Sequence, residues 1–398
     1  MTPYWKDKTF CYAPFNQIYF GRDGIVKPCC AATSSFGNYK YSSIENVYNS
    51  KSAKLTRQDF LEGNYPKNNC QSCSSFYNQT GSIHNVQMFS NENAYKAMHH
   101  SKQVMSADLT DQKPIFVDLL VSNNCNFACL GCESELSSTW AKNYTDIEIQ
   151  RDLDIRHTDI SGEWNNDIDP IIEYILEHAD TIQSIHCNGG EPFMQEQYYK
   201  LFDVLIDNKI FDIHITSHTN GSVSTYKGKD IVNDYLSKFT NFDITFSHDH
   251  FGKRGTYIRY PLVEEKWLKN YNRIKQVAKV HVQTSYSLFN ALTIDTLEQW
   301  YIDNGIEMNN WILLPWHGPT AYTPVLLNDQ QIDVANNKLQ RLQKNHRLFD
   351  YLHIRDDNPN LRRNFKKTIE MWDQKRNTDF VQKKFGILMC VMTHTLEY

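Results

Sequence analysis

The feature that most constrains this chain is a group of three cysteines. Cys125, Cys129 and Cys132 stand directly behind the apolar run Ile115 to Val121. Thiolates at this spacing can wrap one face of a cubane, ligating three of its irons and leaving the fourth open. A closed structural zinc site would need a fourth ligand, and none stands nearby, His157 being distant in sequence. Of ten cysteines, nine precede residue 190, namely Cys11, Cys29, Cys30, Cys70, Cys73, Cys125, Cys129, Cys132 and Cys187, with Cys390 alone far away. Short clustered spacings in a large chain favour metal or cofactor ligation over disulfides.

The 398 residues leave room for one large domain plus a smaller one. With 40% hydrophobic residues, 21 Phe and 23 Tyr, a substantial core is within reach. The formal charge of −5 gives no general basic field, so nucleic acid is not the default partner. Met1 to Phe15 carries no apolar signal-peptide region, and the apolar runs are too short to cross a bilayer. The expectation is a soluble cytoplasmic protein without a membrane partner.

Strand-like and helix-like runs alternate from about residue 113 to 325. Strands are expected at Ile115 to Val121, Ser184 to Cys187, Ile213 to Ser217, Phe242 to Phe246, Val280 to Ser285 and Trp311 to Leu314. Helices are expected at Pro170 to His178, Gln195 to Asp207, Glu264 to Val277 and Ile294 to Asn304. That alternation argues for a parallel α/β sheet or open barrel, with its site at the C-terminal strand ends. Before it, Ile18 to Phe20 and Ile25 to Val26 flank a Gly-rich turn and read as a hairpin, and Asn46 to Asp59 as a helix. After it, Ile332, Ala335, Leu339 and Leu342, then Phe365, Ile369 and Trp372, recur at helical spacing, a stripe packed on the body.

Cys187-Asn-Gly189-Gly190-Glu191-Pro192 ends the second of these strands. With the CX3CX2C loop behind the first, it resembles the radical SAM superfamily. There a GGEP motif holds the methionine amino group of S-adenosylmethionine. Thr219-Asn220-Gly221 resembles a triplet often found after strand three. Ser247-His248-Asp249 resembles an S-x-D pattern after strand four, and Arg259 the arginine that meets the S-adenosylmethionine carboxylate. The resemblance implies cofactor contacts from Gly189, Gly190, Glu191, Pro192, Asn220, Ser247 and Arg259. One departure stands out: the family's aromatic before the third cysteine is Gly131 here. Adenine contact is then expected from the sixth strand, around Leu313 to Trp316.

Cys11, Cys29, Cys70 and Cys73 form a second set, which a hairpin and a returning CX2C segment would gather around one metal. The segment, including Phe36-Gly37-Asn38 and Ser43-Ile44, resembles a twitch domain, the half-sized relative of SPASM. That resemblance implies an auxiliary iron–sulfur cluster, expected to be [4Fe-4S], while the spacing alone also permits structural zinc. Cys30 reads as a spectator that could exchange with Cys29, and Cys187 and Cys390 as buried small hydrophobes. His248 and His250 flank Asp249 and invite a metal reading, but read rather as a strand-end polar cluster facing substrate or as a plain loop.

These readings add up to an α/β protein. It has a twitch-like domain over 1–110, a partial (β/α)6 radical SAM barrel over 111–326 and a helical extension over 327–398. The resemblance implies catalysis at the Cys125, Cys129 and Cys132 cluster. There S-adenosylmethionine is cleaved reductively to a 5′-deoxyadenosyl radical that abstracts hydrogen from an organic or peptide substrate. A flavodoxin- or ferredoxin-type donor is implied as partner. The rivals are a non-catalytic zinc or iron–sulfur scaffold and an enzyme using S-adenosylmethionine as a group donor.

Overall fold

The computed structural model describes residues 11–378 except 12, 65, 67–69, 71–108, 110, 152–161, 317, 344–347, 349–351 and 353–358. Cys73, Cys390 and His157 lie outside the described residues.

After a short helix α1 (Ala13–Asn16) comes the expected hairpin, β1 (Gln17–Phe20) and β2 (Ile25–Lys27), with β3 (Gly37–Asn38) beside β2. Its turn needs Gly24, whose φ is +83°. The single helix expected over Asn46 to Asp59 is instead two, α2 (Ile44–Tyr48) and α3 (Lys51–Leu61). Ser50 is the reason: its hydroxyl accepts from the Ala53 amide and starts the second helix afresh.

All six later strands stand where expected, to within two residues at each end. They are β4 (Phe116–Leu120), β6 (Ser184–Asn188), β7 (His214–Thr219), β10 (Phe242–Ser247), β12 (Lys279–Tyr286) and β13 (Trp311–Pro315). Small strands intervene: β5 (Ala128–Cys129), the ribbon of β8 (Thr225–Tyr226) and β9 (Lys229–Asp230), and β11 (Arg259–Tyr260). The helices are α4 (Ser138–Asn143), α5 (Thr145–Arg151), α6 (Asp169–Glu177), α7 (Glu196–Asp207), α8 (Gly252–Ile258), α9 (Glu264–Ile274), α10 (Ile294–Asp303), α11 (Asp329–Arg341) and α12 (Pro359–Arg376).

The chain divides into two compact units. One holds 1–122, 164–217 and 233–243, and the other 123–163, 218–232 and 244–398. In the first, β1 runs parallel to β4, β4 to β6 and β6 to β7, so the N-terminal hairpin continues the same sheet as the first barrel-type strands. Alternate residues part into two faces. Val117, Leu119, Ile185, Cys187 and Ile215 are fully buried on one. The other carries a register row of Lys27, Tyr19, Asp118, His186 and Thr216. In the second unit β12 and β13 pair in parallel, and the tail packs by the expected stripe. Phe365, Ile369 and Trp372 of α12 are buried, as are Ile332, Ala335 and Leu339 of α11. No helix among the described residues is long and apolar enough to cross a membrane.

Candidate iron–sulfur site

The Cys125–Cys132 loop belongs to the second unit, and its backbone is held almost residue by residue. The Cys125 carbonyl accepts from the Thr139 hydroxyl at 2.7 Å and the Ser138 hydroxyl at 3.3 Å. Ser137, the N-cap of α4, donates to the Phe127 carbonyl at 2.6 Å. The Trp140 indole donates to the Cys129 carbonyl at 2.9 Å. Arg151 bridges the Leu130 and Cys132 carbonyls with one nitrogen. Behind the third cysteine, Ser134 donates through amide and hydroxyl to the buried Glu148 carboxylate. Loop carbonyls turned inward need such partners, and supplying them from side chains fixes the shape before any ligand arrives.

The thiols gather charge around them. Arg259 pairs through Nε with the buried Asp249 at 2.8 Å, and its Nη1 lies 4.0 Å from Cys129 Sγ. Burial pushes the Cys129 thiol up, with Asp249 adding to it and Arg259 and Arg376 opposing. Burial likewise pushes Cys132 up to about 12, its neighbour Cys129 adding to the effect. Three thiolates so short of water are costly without a cation to neutralise them, so metal ligation and proton release go together.

Asn220 lies in this site. Its Nδ2 donates to Asn126 Oδ1 at 3.0 Å and lies 3.9 Å from Cys125 Sγ, and its Oδ1 receives the Ser222 amide. Its visible work is to tie the strand-three turn to the cysteine loop. The expectation for His248 is corrected: it is fully buried, stacked on Trp300 with centroids 5.0 Å apart, and its Nδ1 pairs with the Tyr301 hydroxyl at 3.0 Å. His250 is also buried and meets Thr293 Oγ1. An aromatic cage, not a polar strand end, fills this place. Ser247 ends β10 as a half-buried residue.

Trp316, just past β13, explains Gly131. A Cβ on Gly131 would lie 2.2 Å from Trp316 Cζ2, so the indole fills the room that a side chain at 131 would take. Gly131→Leu is expected to destabilise the protein by about 1–3 kcal/mol through overpacking. Trp316→Ala in the same chain should return part of that loss. Urea unfolding checks it, and a Gly131→Leu protein as stable as wild type would refute the contact.

In the first unit, the Gly189-Gly190 turn follows β6. Gly189 has φ +84°, and a Cβ there would strike Leu120 Cδ1 and the Ser122 carbonyl. Gln195 Nε2 clamps the Gly189 carbonyl at 2.6 Å. Glu191 is fully buried and its Oε1 accepts from the Phe193 amide, starting the Pro192–Met194 turn of helix.

Also in the first unit, Cys11 and Cys29 share one apolar cluster with Ala13, Phe15, Ala32 and Phe60, and Cys70 packs against it. Cys30 is exposed and not part of this cluster. A single tetrahedral zinc, with Zn–S near 2.3 Å, would draw its sulfurs to about 3.8 Å. Among the described residues, the only three or more donor atoms all within 4.8 Å of one another belong to Glu45, Glu177 and His178. Three thiols on one loop can each ligate a different iron of a cubane and leave the fourth iron open, which is the donor set such a cluster needs.

The expectations from sequence left out Asp118, Asn126, Arg151 and Arg376. Asp118 was legible as the one charge inside an apolar strand run. Arg151 and Arg376 sit in stretches without a motif and are found only by contact, and Asn126, inside the cysteine motif, shows its part only through its bond to Asn220.

Residues 11–74 match the SPASM iron–sulfur cluster-binding domain, a match that spans Cys11, Cys29, Cys70 and Cys73. No curated protein matches the chain. Among solved structures it is similar to native anSMEcpe with bound AdoMet and Cp18Cys peptide, at 14% identity and TM-score 0.39, over 56% of this chain and 58% of that one. It is similar to Streptococcus suis SuiB bound to S-adenosylmethionine, at 15% identity and TM-score 0.37, over 73% and 52%. For TYW1 with a lysine-pyruvate adduct bound, the values are 12% and 0.33, over 55% and 70%. The chain thus spans less than two thirds of the first two, and likeness of this degree carries no functional argument.

Proposed function

We propose that this protein is a radical SAM enzyme with an auxiliary iron–sulfur cluster. The observation that carries the reading is the Cys125–Cys132 loop, whose three thiols stand on a side-chain-pinned backbone with Arg259 beside Cys129. Cys125, Cys129 and Cys132 would hold a [4Fe-4S] cluster with one open iron. Cys11, Cys29, Cys70 and Cys73 would hold the auxiliary cluster. When bound, the first cluster and S-adenosylmethionine supply one-electron cleavage to a radical able to take hydrogen from an organic substrate. The protein's part is placement: Asn220 and Asn126 fix the loop, and Arg259 and Arg151 balance its charge. Gly189, Gly190, Glu191 and Pro192 offer the cofactor a turn held by Gln195, with Ser247 a further contact. We assign residues 1–110 to the auxiliary domain, 111–326 to the barrel and 327–398 to the extension, with a flavodoxin- or ferredoxin-type donor and an organic or peptide substrate.

The test is anaerobic. After reconstitution with iron and sulfide, S-adenosylmethionine and dithionite are added and 5′-deoxyadenosine is quantified by mass spectrometry. Formation of deoxyadenosine is expected. Iron-loaded protein that neither forms it nor binds S-adenosylmethionine in a titration would mean a scaffold instead.

A further inference from the structure

The last residue of α12 reaches the cysteine loop. Arg376 is buried, and its Nη2 donates to the Ala128 carbonyl at 2.6 Å and its Nη1 to the Tyr257 carbonyl at 2.7 Å. Ala128 and Cys129 form β5, which pairs antiparallel with β11, Cys129 opposite Arg259 and Ala128 opposite Tyr260. One guanidinium therefore ties β5, the strand that carries the middle cysteine, to the last turn of α8, directly before β11. It lies over the Trp372 ring, 3.9 Å from the centroid, and 4.5 Å from that of Tyr260.

Its partners are carbonyls and rings, and among the described residues no carboxylate forms an ion pair with it. A buried cation without an anion is expensive, more than a stacking surface repays. The cysteine loop offers one: a cubane with three thiolates is net negative, and reduction adds another charge.

We propose that Arg376 is a positioning residue of the three-cysteine site, fastening the Cys129 strand to the end of α8 and supplying a fixed charge that raises the cluster's reduction potential. The inference rests on the radical SAM reading. It gives the C-terminal helix a role in the redox centre beyond packing. Cluster potentials follow net charge and burial, so a cation kept dry beside a thiolate favours the reduced form.

The test uses the full chain as Arg376→Gln and Arg376→Lys, both reconstituted with iron and sulfide. Iron content is measured, and a redox titration follows the electron paramagnetic resonance signal that changes on adding S-adenosylmethionine. Arg376→Gln keeps a donor but not the charge. It should load iron, with the reduction equilibrium falling roughly tenfold, about 59 mV for one electron. Arg376→Lys should stay near wild type. A glutamine variant with unshifted potential overturns the proposal, as does a lysine variant shifted equally. If Arg376→Gln does not accumulate folded, Arg376→Met, which keeps the stem on Trp372, takes its place under the same readings. Failure of the underlying reading looks different: wild type itself would then show no iron signal that responds to S-adenosylmethionine, which sinks both.

Discussion

Cys125→Ala is expected to reduce deoxyadenosine formation to background, a loss of more than roughly a thousandfold, while leaving the fold in place. The two effects separate because the backbone of Cys125 is held independently of its sulfur. Its amide donates to Ser138 Oγ at 3.2 Å and its carbonyl receives two hydroxyls. The sulfur itself meets weak donors, among them the Phe127 amide at 3.4 Å and Asn220 Nδ2 at 3.9 Å. Removing it should cost stability on the order of 1 kcal/mol. Two thiolates cannot hold a cubane by one face, so iron should fall by one cluster's worth. Cys29→Ala makes the control: it should lose the auxiliary iron and keep the signal that answers to S-adenosylmethionine. Iron analysis and mass spectrometry read both. Full deoxyadenosine formation by Cys125→Ala would remove the three-cysteine loop from the chemistry.

Much of this architecture could be read from residues because period and spacing are local. The six strands follow from β-branched and aromatic runs bounded by turns, and the three-cysteine loop from spacing alone. The α2–α3 break escaped the helical pattern because a single hydroxyl, that of Ser50, decides it. His248 misled for a related reason. A histidine between a serine and an aspartate reads as polar surface, and only the arrival of Trp300 and Tyr301 from α10 makes it core. Of the arginines around the loop, Arg259 was legible and the other two were not. Arg151 and Arg376 come from helices further along the chain, and their targets are backbone carbonyls, which leave no trace in residue type. Gly131 stood out as an oddity, and Trp316 gave the reason.

Asp118 should make the protein less stable as pH rises, against the habit of most carboxylates. It sits at the middle of β4, buried, with Oδ2 receiving Gln17 Nε2 at 3.3 Å and Oδ1 without a hydrogen-bond partner. Burial pushes its carboxyl up to about 7, the Gln17 hydrogen bond opposing. In the unfolded chain an Asp titrates near 3.9. Below that value both states are protonated and Asp118 contributes no pH dependence. Between about 4 and 7 the folded state holds the extra proton, so stability falls with rising pH at about 1.4 kcal/mol per unit. Above 7 the whole cost of the buried charge is present. Asp118→Asn carries no charge at any pH. Its stability relative to wild type should therefore rise by about 3 kcal/mol between pH 5 and pH 8, as measured by urea unfolding of the two proteins side by side. A difference that stays constant across that range would mean Asp118 is ionised throughout. The orphaned oxygen would then need a cation or a water rather than a proton. If the rise is found, the polar face of the first unit carries a neutral acid up to about neutral pH, in the row with Tyr19 and His186. That is a group able to give or take a proton near neutrality.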